Sequence, residues 1–135
     1  MEKLLAELKL LKGRTIGLLG LAFKPHTDDL REAPALDVAR HLLERGARVK
    51  VHDPVAMDRF KKEHSAMDVT LASDAYDVAR DADALVLVTE WPQYLELNWE
   101  SLASGMRTPI LLDTRHVLDR TRLTRAGFRY FTLAG

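Results

Sequence analysis

Six short apolar runs alternate with helix-like segments, and several of those runs have no polar face. Together these features predict an α/β fold. The alternation matters because parallel strands in one sheet need a crossover, and a helix is the usual one. The run ALVLV, residues 84–88, has no polar position, as expected for a strand covered on both faces. The predicted architecture is therefore three layers, a doubly wound parallel sheet of about five to six strands between two helical layers.

Each element follows from its residues. Segment 1–12 is expected to be a helix, because Met1, Leu4, Leu5, Leu8 and Leu11 recur at helical spacing and Gly13 is a stop. RTIGLLG, residues 14–20, is the first strand. Residues 34–45 form a helix with Pro34 in its first turn. Its buried stripe is Ala35, Val38, Ala39, Leu42 and Leu43, and Gly46 ends it. ARVKVHD, 47–53, is the second strand, and MDRFKKEH, 57–64, the next helix. MDVTLA, 67–72, is a short strand, followed by a helix over 74–82 and a buried strand over 83–89. Residues 90–105 are irregular or helical. TPILLDT, 108–114, is the fifth strand, 117–127 the last helix and 128–134 a sixth strand. The pattern is Rossmann-like, and ligands of such sheets sit beyond the carboxyl ends of the strands, where strand order reverses. The loops after the first, fourth and fifth strands are the places to search.

Composition narrows the function. The 135 residues are read as one domain, 1–135, and 47 % hydrophobic residues suffice for a core. No run approaches the roughly 18 apolar residues of a membrane span, so no membrane partner is expected. The N-terminus carries acids, unlike a signal peptide. Lys+Arg and Asp+Glu are 20 each, which argues against a nucleic-acid partner. There is no cysteine, which removes disulfides, thiolate metal sites and a cysteine nucleophile, and fits a cytoplasmic location. Asn98 and Gln93 are the only side-chain amides, a bias of thermophilic proteins that a GC-rich genome would also produce.

The stretch GLAFKPHTDDLREAP, residues 20–34, puts Lys24, Asp28, Asp29, Arg31, Glu32 and His26 into one strand-to-helix connection. An ordinary dinucleotide unit would carry GxGxxG here, but Leu21, Ala22, Phe23 and Lys24 follow Gly20. Asp53 stands where a ribose-binding acid would, although a turn residue before Pro54 is the plainer reading. Lys24 is placed to meet a diphosphate as a point charge, or to be a solvated lysine. Arg31 either joins it or pairs with Asp28 or Glu32. Arg115 rises at the end of the fifth strand, either beside Lys24 or paired with Asp113 or Asp119. Two cations projecting from neighbouring strand ends would jointly neutralise a diphosphate. Trp91 and Tyr94 could stack on a base or cap the core. The histidines at 26, 41, 52, 64 and 116 form no HExxH pattern, and no metal site or catalytic residue is assigned. A phosphoacceptor receiver domain has a similar size, and Thr89 would match it. It needs an Asp after the third strand and a Lys after the fifth, where this chain has Ala72-Ser73 and Asp113-Thr114-Arg115, so it is rejected.

GLAFKPHTDDLREAPALDVARHLLERGARVKVHDP resembles the opening of the C-terminal domain of the UDP-glucose/GDP-mannose dehydrogenases. TEW at 89–91, LLDTRHVLD at 111–119 and the closing GFRYFTLAG are similar to later blocks of that family. The resemblance covers nearly all of residues 13–135. It implies a domain that grips the nucleoside diphosphate of a UDP-sugar substrate. By the same resemblance Phe23 and Lys24 contact the substrate, Arg115 binds its nucleotide, and Arg31 reaches an NAD cofactor held mainly by another domain. Thr114 stands where the family commonly has glycine, which would permit φ > 0. His116 stands where asparagine or arginine is common. Ala33 replaces a common serine, which weakens a helix cap.

The family enzyme resembles a three-part chain: an N-terminal NAD-binding domain, a central helical segment that dimerises, and this domain. It oxidises a sugar C6 hydroxyl to a carboxylate in two NAD-linked steps, through a thiohemiacetal and a thioester on a cysteine of the central part. Without cysteine or GxGxxG, this chain is not expected to catalyse alone. It is read as an expressed fragment or a free-standing relic of a UDP-glucose 6-dehydrogenase-like enzyme, homodimeric when whole. The alternative is a stand-alone nucleotide-binding or protein-interaction module. Enzymes for UDP-glucose, UDP-N-acetylmannosamine and GDP-mannose share the motif, and TDDLREAPAL leans slightly towards the first.

Overall fold

The computed structural model describes residues 2–133. Met1 and Ala134, predicted on the first helix and the last strand, lie outside the described residues. The elements are α1 (Glu2–Leu8), β1 (Thr15–Leu19), α2 (Pro34–Glu44), β2 (Arg48–His52), α3 (Met57–Glu63), β3 (Thr70–Leu71), α4 (Ala75–Ala79), β4 (Ala84–Leu87), α5 (Pro92–Leu95), α6 (Trp99–Gly105), β5 (Ile110–Asp113), α7 (Arg120–Arg125) and β6 (Arg129–Thr132). All six strands are parallel, in the order β3-β2-β1-β4-β5-β6. The chain starts at β1, builds outward to β3, crosses back to β4 and builds outward to β6. The order therefore reverses between β1 and β4, whose ends are level at the Leu19–Leu87 pair.

Alternation along the central strands explains the three layers. Ile16 and Leu18 of β1, Ala84 and Val86 of β4, and Ile110 and Leu112 of β5 join an apolar cluster with α1, α2 and α3. Leu19, Leu85, Leu87 and Leu111 point the other way, into a cluster with α4, α6 and α7. A Cβ on Gly17 would lie 2.4 Å from Val78 Cγ1, so this glycine serves the close packing of α4 on β1. At the opposite end of the sheet the buried Asp83 accepts from Thr15 N–H at 2.9 Å, with Arg14 and Arg107 each 3.6 Å away.

Several boundaries differ from the sequence expectation. α1 ends at Leu8 rather than near residue 12, because Lys9 adopts a left-handed φ of 67°. Leu11 is nevertheless buried, as its spacing predicts. β3 has two residues rather than six, a blunted edge strand. Residues 90–105 resolve into α5 and α6, with the Asn98 side chain accepting from Ser101 N–H at 3.1 Å. α7 begins at Arg120 rather than 117, because residues 114–118 are wrapped around Asp113. In α2, Leu36 is buried while Val38 and Leu43 are only partly so. Ala33 caps that helix with no side-chain bond, as the missing serine predicts. No helix among the described residues is long and apolar enough to cross a membrane.

Candidate functional site

Two buried aspartates shape the loops at the switch point. Asp53, just after β2, accepts five hydrogen bonds. Its Oδ2 takes the N–H groups of Leu21 at 2.8 Å and Ala22 at 3.1 Å, and the indole N–H of Trp91 at 3.2 Å. Its Oδ1 takes the N–H groups of Val55 at 2.9 Å and Ala56 at 2.8 Å. One carboxylate thus fastens the loops after β1, β2 and β4 together. The fit is tight. Gly20 has φ 104°, donates its N–H to His52 O at 2.8 Å, and has no room for a Cβ, which would lie 2.4 Å from Thr89 Oγ1. Thr89 Oγ1 donates to Ala22 O at 2.7 Å. Trp91 and Tyr94 are buried, so they cap the core and offer no stacking face. His52 Nδ1 and Tyr94 Oη lie 2.7 Å apart. Burial pushes the His52 imidazole below its usual pKa against the opposing pull of Asp53 and Asp74, and burial pushes the Tyr94 phenol up.

Asp113, the last residue of β5, also accepts five hydrogen bonds. Four come from consecutive N–H groups: Arg115 at 3.0 Å and His116 at 2.8 Å to Oδ1, Val117 at 2.8 Å and Leu118 at 2.9 Å to Oδ2. The fifth is the Tyr130 hydroxyl at 2.6 Å. Burial, followed by this bond to Asp113, raises the Tyr130 phenol. The left-handed residue of this loop is His116, φ 60°, not Thr114. The threonine at the glycine position therefore costs no φ strain, and its hydroxyl donates to Leu87 O at 2.6 Å.

The candidate binding residues divide between two places. Phe23, Lys24 and Arg31 line one cavity of about 500 Å³ with Asp29 and Glu32. Phe23 is 49 % exposed, and Lys24 has no ion-pair partner among the described residues. Arg31 pairs with Asp29 rather than Asp28 or Glu32, Nε to Oδ1 at 3.0 Å and Nη2 to Oδ2 at 2.9 Å. That bond, helped by the Arg31 N–H, lowers the Asp29 pKa to about 2. The pair is therefore intact above the ordinary carboxylate pKa and is lost only as pH falls through about 2. Asp28 instead meets Arg59 at 3.0 Å, tying this loop to α3. Arg115 does not line that cavity. Its guanidinium pairs with Glu90, through Nε and through Nη2 at 3.2 Å, rather than with Asp113 or Asp119. The bond to Glu90 outweighs burial and raises the Arg115 pKa.

Glu90 and the long-range role of Asp53 were missed in the sequence. Glu90 had a usable signal: it follows β4, which neighbours β5, so its side chain and that of Arg115 leave adjacent strand ends. Asp53 is a turn residue, as the plainer reading has it, its Oδ1 accepting from Val55 and Ala56. Its hold on Leu21, Ala22 and Trp91 had no signal, because those partners are distant in sequence. No group of three or more His, Cys, Asp or Glu placed to hold a metal occurs among the described residues.

An ordinary dinucleotide domain offers the amides after its first strand to a pyrophosphate, and the acid after its second to a ribose. Here the amides of Leu21 and Ala22 are spent on Asp53, and both oxygens of Asp53 are engaged. This crevice does not fit an NAD of its own.

Comparison with known proteins places the chain in a family. A profile of the UDP-glucose/GDP-mannose dehydrogenase family, UDP binding domain, matches residues 17–120. The UDP-glucose 6-dehydrogenase of Pseudomonas aeruginosa is 45 % identical over 123 residues, 88 % of this chain and 27 % of that protein. That of Rhizobium meliloti is 41 % identical over 123 residues, 91 % of this chain and 28 % of that protein. The solved UDP-glucose dehydrogenase of the hyperthermophilic archaeon Pyrobaculum islandicum superposes with a TM-score of 0.79 at 38 % identity, over 96 % of this chain and 27 % of the other. The chain thus spans little more than a quarter of the length of these relatives.

Proposed function

Because the chain belongs to the UDP-glucose/GDP-mannose dehydrogenase family and matches its UDP binding domain, we propose that it binds the nucleoside diphosphate of a UDP-sugar, as the C-terminal domain of a UDP-glucose 6-dehydrogenase. The observation that carries this reading is the cavity beyond β1, where Lys24 has no counter-ion among the described residues and Phe23 is exposed beside it. An ammonium in that setting attracts a diphosphate, and the aromatic face packs against the apolar side of the ligand. Arg115 contacts the nucleotide from the end of β5, two strands from β1 with β4 between. It therefore does not share the Lys24 cavity, and the expected pairing of the two cations at neighbouring strand ends is not kept. NAD belongs to another domain, and Arg31, 89 % exposed, is the group that reaches it. The oxidation itself needs a cysteine that this chain lacks. It is assigned to the other parts of a longer, homodimeric enzyme. The absence of cysteine fits a cytoplasmic setting.

Calorimetry of the 135-residue chain with UDP tests the reading. Weak but saturable binding that Lys24→Ala removes is expected. UDP heats identical in the two proteins would defeat it.

A further inference from the structure

Glu90 and Arg115 meet across the ends of β4 and β5 from backbones that are both anchored. Glu90 stands between Thr89 and Trp91, which are buried and bonded to Ala22 O and to Asp53. The Arg115 N–H is held by Asp113. Yet the two side chains keep 28 % and 35 % of their surface exposed. The carboxylate grips the guanidinium by its Nε and Nη2 edge. Nη1 donates to no acceptor among the described residues. A guanidinium held by one edge loses its swing and keeps the donors of the other.

Its charge, however, is already matched. A phosphate brought to the free edge of Arg115 would gain much less than from an unpaired arginine, because the Glu90 carboxylate offsets most of the guanidinium charge. An uncharged acceptor, a base carbonyl or a sugar hydroxyl, meets only the donors. Lys24, with no such partner among the described residues, remains a charge available to a phosphate. Resting on the nucleoside-diphosphate reading above, we infer that Glu90 is a specificity-determining residue. It holds Arg115 as an oriented, neutralised donor for the nucleoside and leaves the diphosphate to Lys24.

The test is calorimetry of the 135-residue chain with UDP and with inorganic pyrophosphate, at low and high salt. Wild type is expected to favour UDP. Glu90→Gln uncovers the arginine charge, so pyrophosphate should bind about fivefold tighter, with a steeper loss in salt and a smaller preference for UDP. The gain should vanish in the Glu90→Gln, Arg115→Ala double variant. Unchanged pyrophosphate affinity and salt slope in Glu90→Gln overturn the inference, as does a gain that survives Arg115→Ala. If wild type favours UDP but Glu90→Gln changes nothing, the nucleotide reading stands and this one falls. If Glu90→Gln tightens pyrophosphate while wild type shows no preference for UDP, the charge matching stands and the nucleotide reading falls.

Discussion

Asp53 and Asp113 stand on opposite sides of the switch point, each buried, each accepting five hydrogen bonds. Asp113 collects four consecutive amides of its own loop and one hydroxyl from the next strand. Asp53 collects donors from three loops. Residues 115–117 around Asp113 are exposed, whereas Leu21, Ala22 and Ala56 around Asp53 are buried. Water can replace the acceptor in the first case and has little access in the second. A local wrap shapes one loop; a non-local junction shapes the whole crevice.

The largest effect should therefore follow Asp53→Ala. It strands buried donors on three loops, and should cost about 4 kcal/mol in urea unfolding. Asp113→Ala should cost less, about 2–3 kcal/mol, because most of its amides can be rehydrated. Equal costs would erase the distinction between the two junctions. Lys24→Ala sharpens it from another side, since Lys24 rides on the loop that Asp53 pins but takes no part in the pinning. It should weaken UDP binding by about 2 kcal/mol while leaving the urea midpoint nearly unmoved.

A smaller gain is expected from Ala33→Ser at the end of the Asp53-anchored loop. Supplying the missing cap of α2 should stabilise by about 1 kcal/mol, read as a rise in melting temperature. A fall would mean that the buried Ala33 site has no room for the hydroxyl. The smallest effect is a pH slope at His52, which borders the Asp53 junction. Its folded pKa lies below the usual 6.5 because of burial, with Asp53 and Asp74 opposing and the Tyr94 hydroxyl alongside. The unfolded chain therefore takes up a proton first. The His52 contribution is fully present above pH 6.5 and is lost as pH falls below it. Urea midpoints followed from pH about 7.5 to about 5.5 should drop, and His52→Gln should flatten the drop.

How much of this was legible in advance depends on the distance between partners. The first strand was readable because Ile16, Leu18 and Leu19 are apolar on both faces. The helix at 34–45 was readable because its apolar residues repeat at 3.6. The Asp113 wrap was within reach, since every amide it holds lies within five residues of it. The end of α1 was not, because nothing local marks Lys9 as left-handed. Nor was the partner of Arg31, because Asp28, Asp29 and Glu32, at three, two and one positions away, look alike in a sequence. That of Arg115 was within reach only once β4 and β5 were taken as neighbours.

The sequence by itself determined the α/β class and the family, and singled out Lys24, Arg31 and Arg115 as candidate cations, because periodicity and a charged motif are properties of neighbouring residues. Tertiary structure alone decided that Asp53 takes up the amides of Leu21 and Ala22, and that Arg115 is paired with Glu90 while Lys24 has no ion-pair partner among the described residues. The physical reason is that a buried acceptor takes whatever donors the strand order brings within 3 Å or so of it, and that order is set by packing across the sheet.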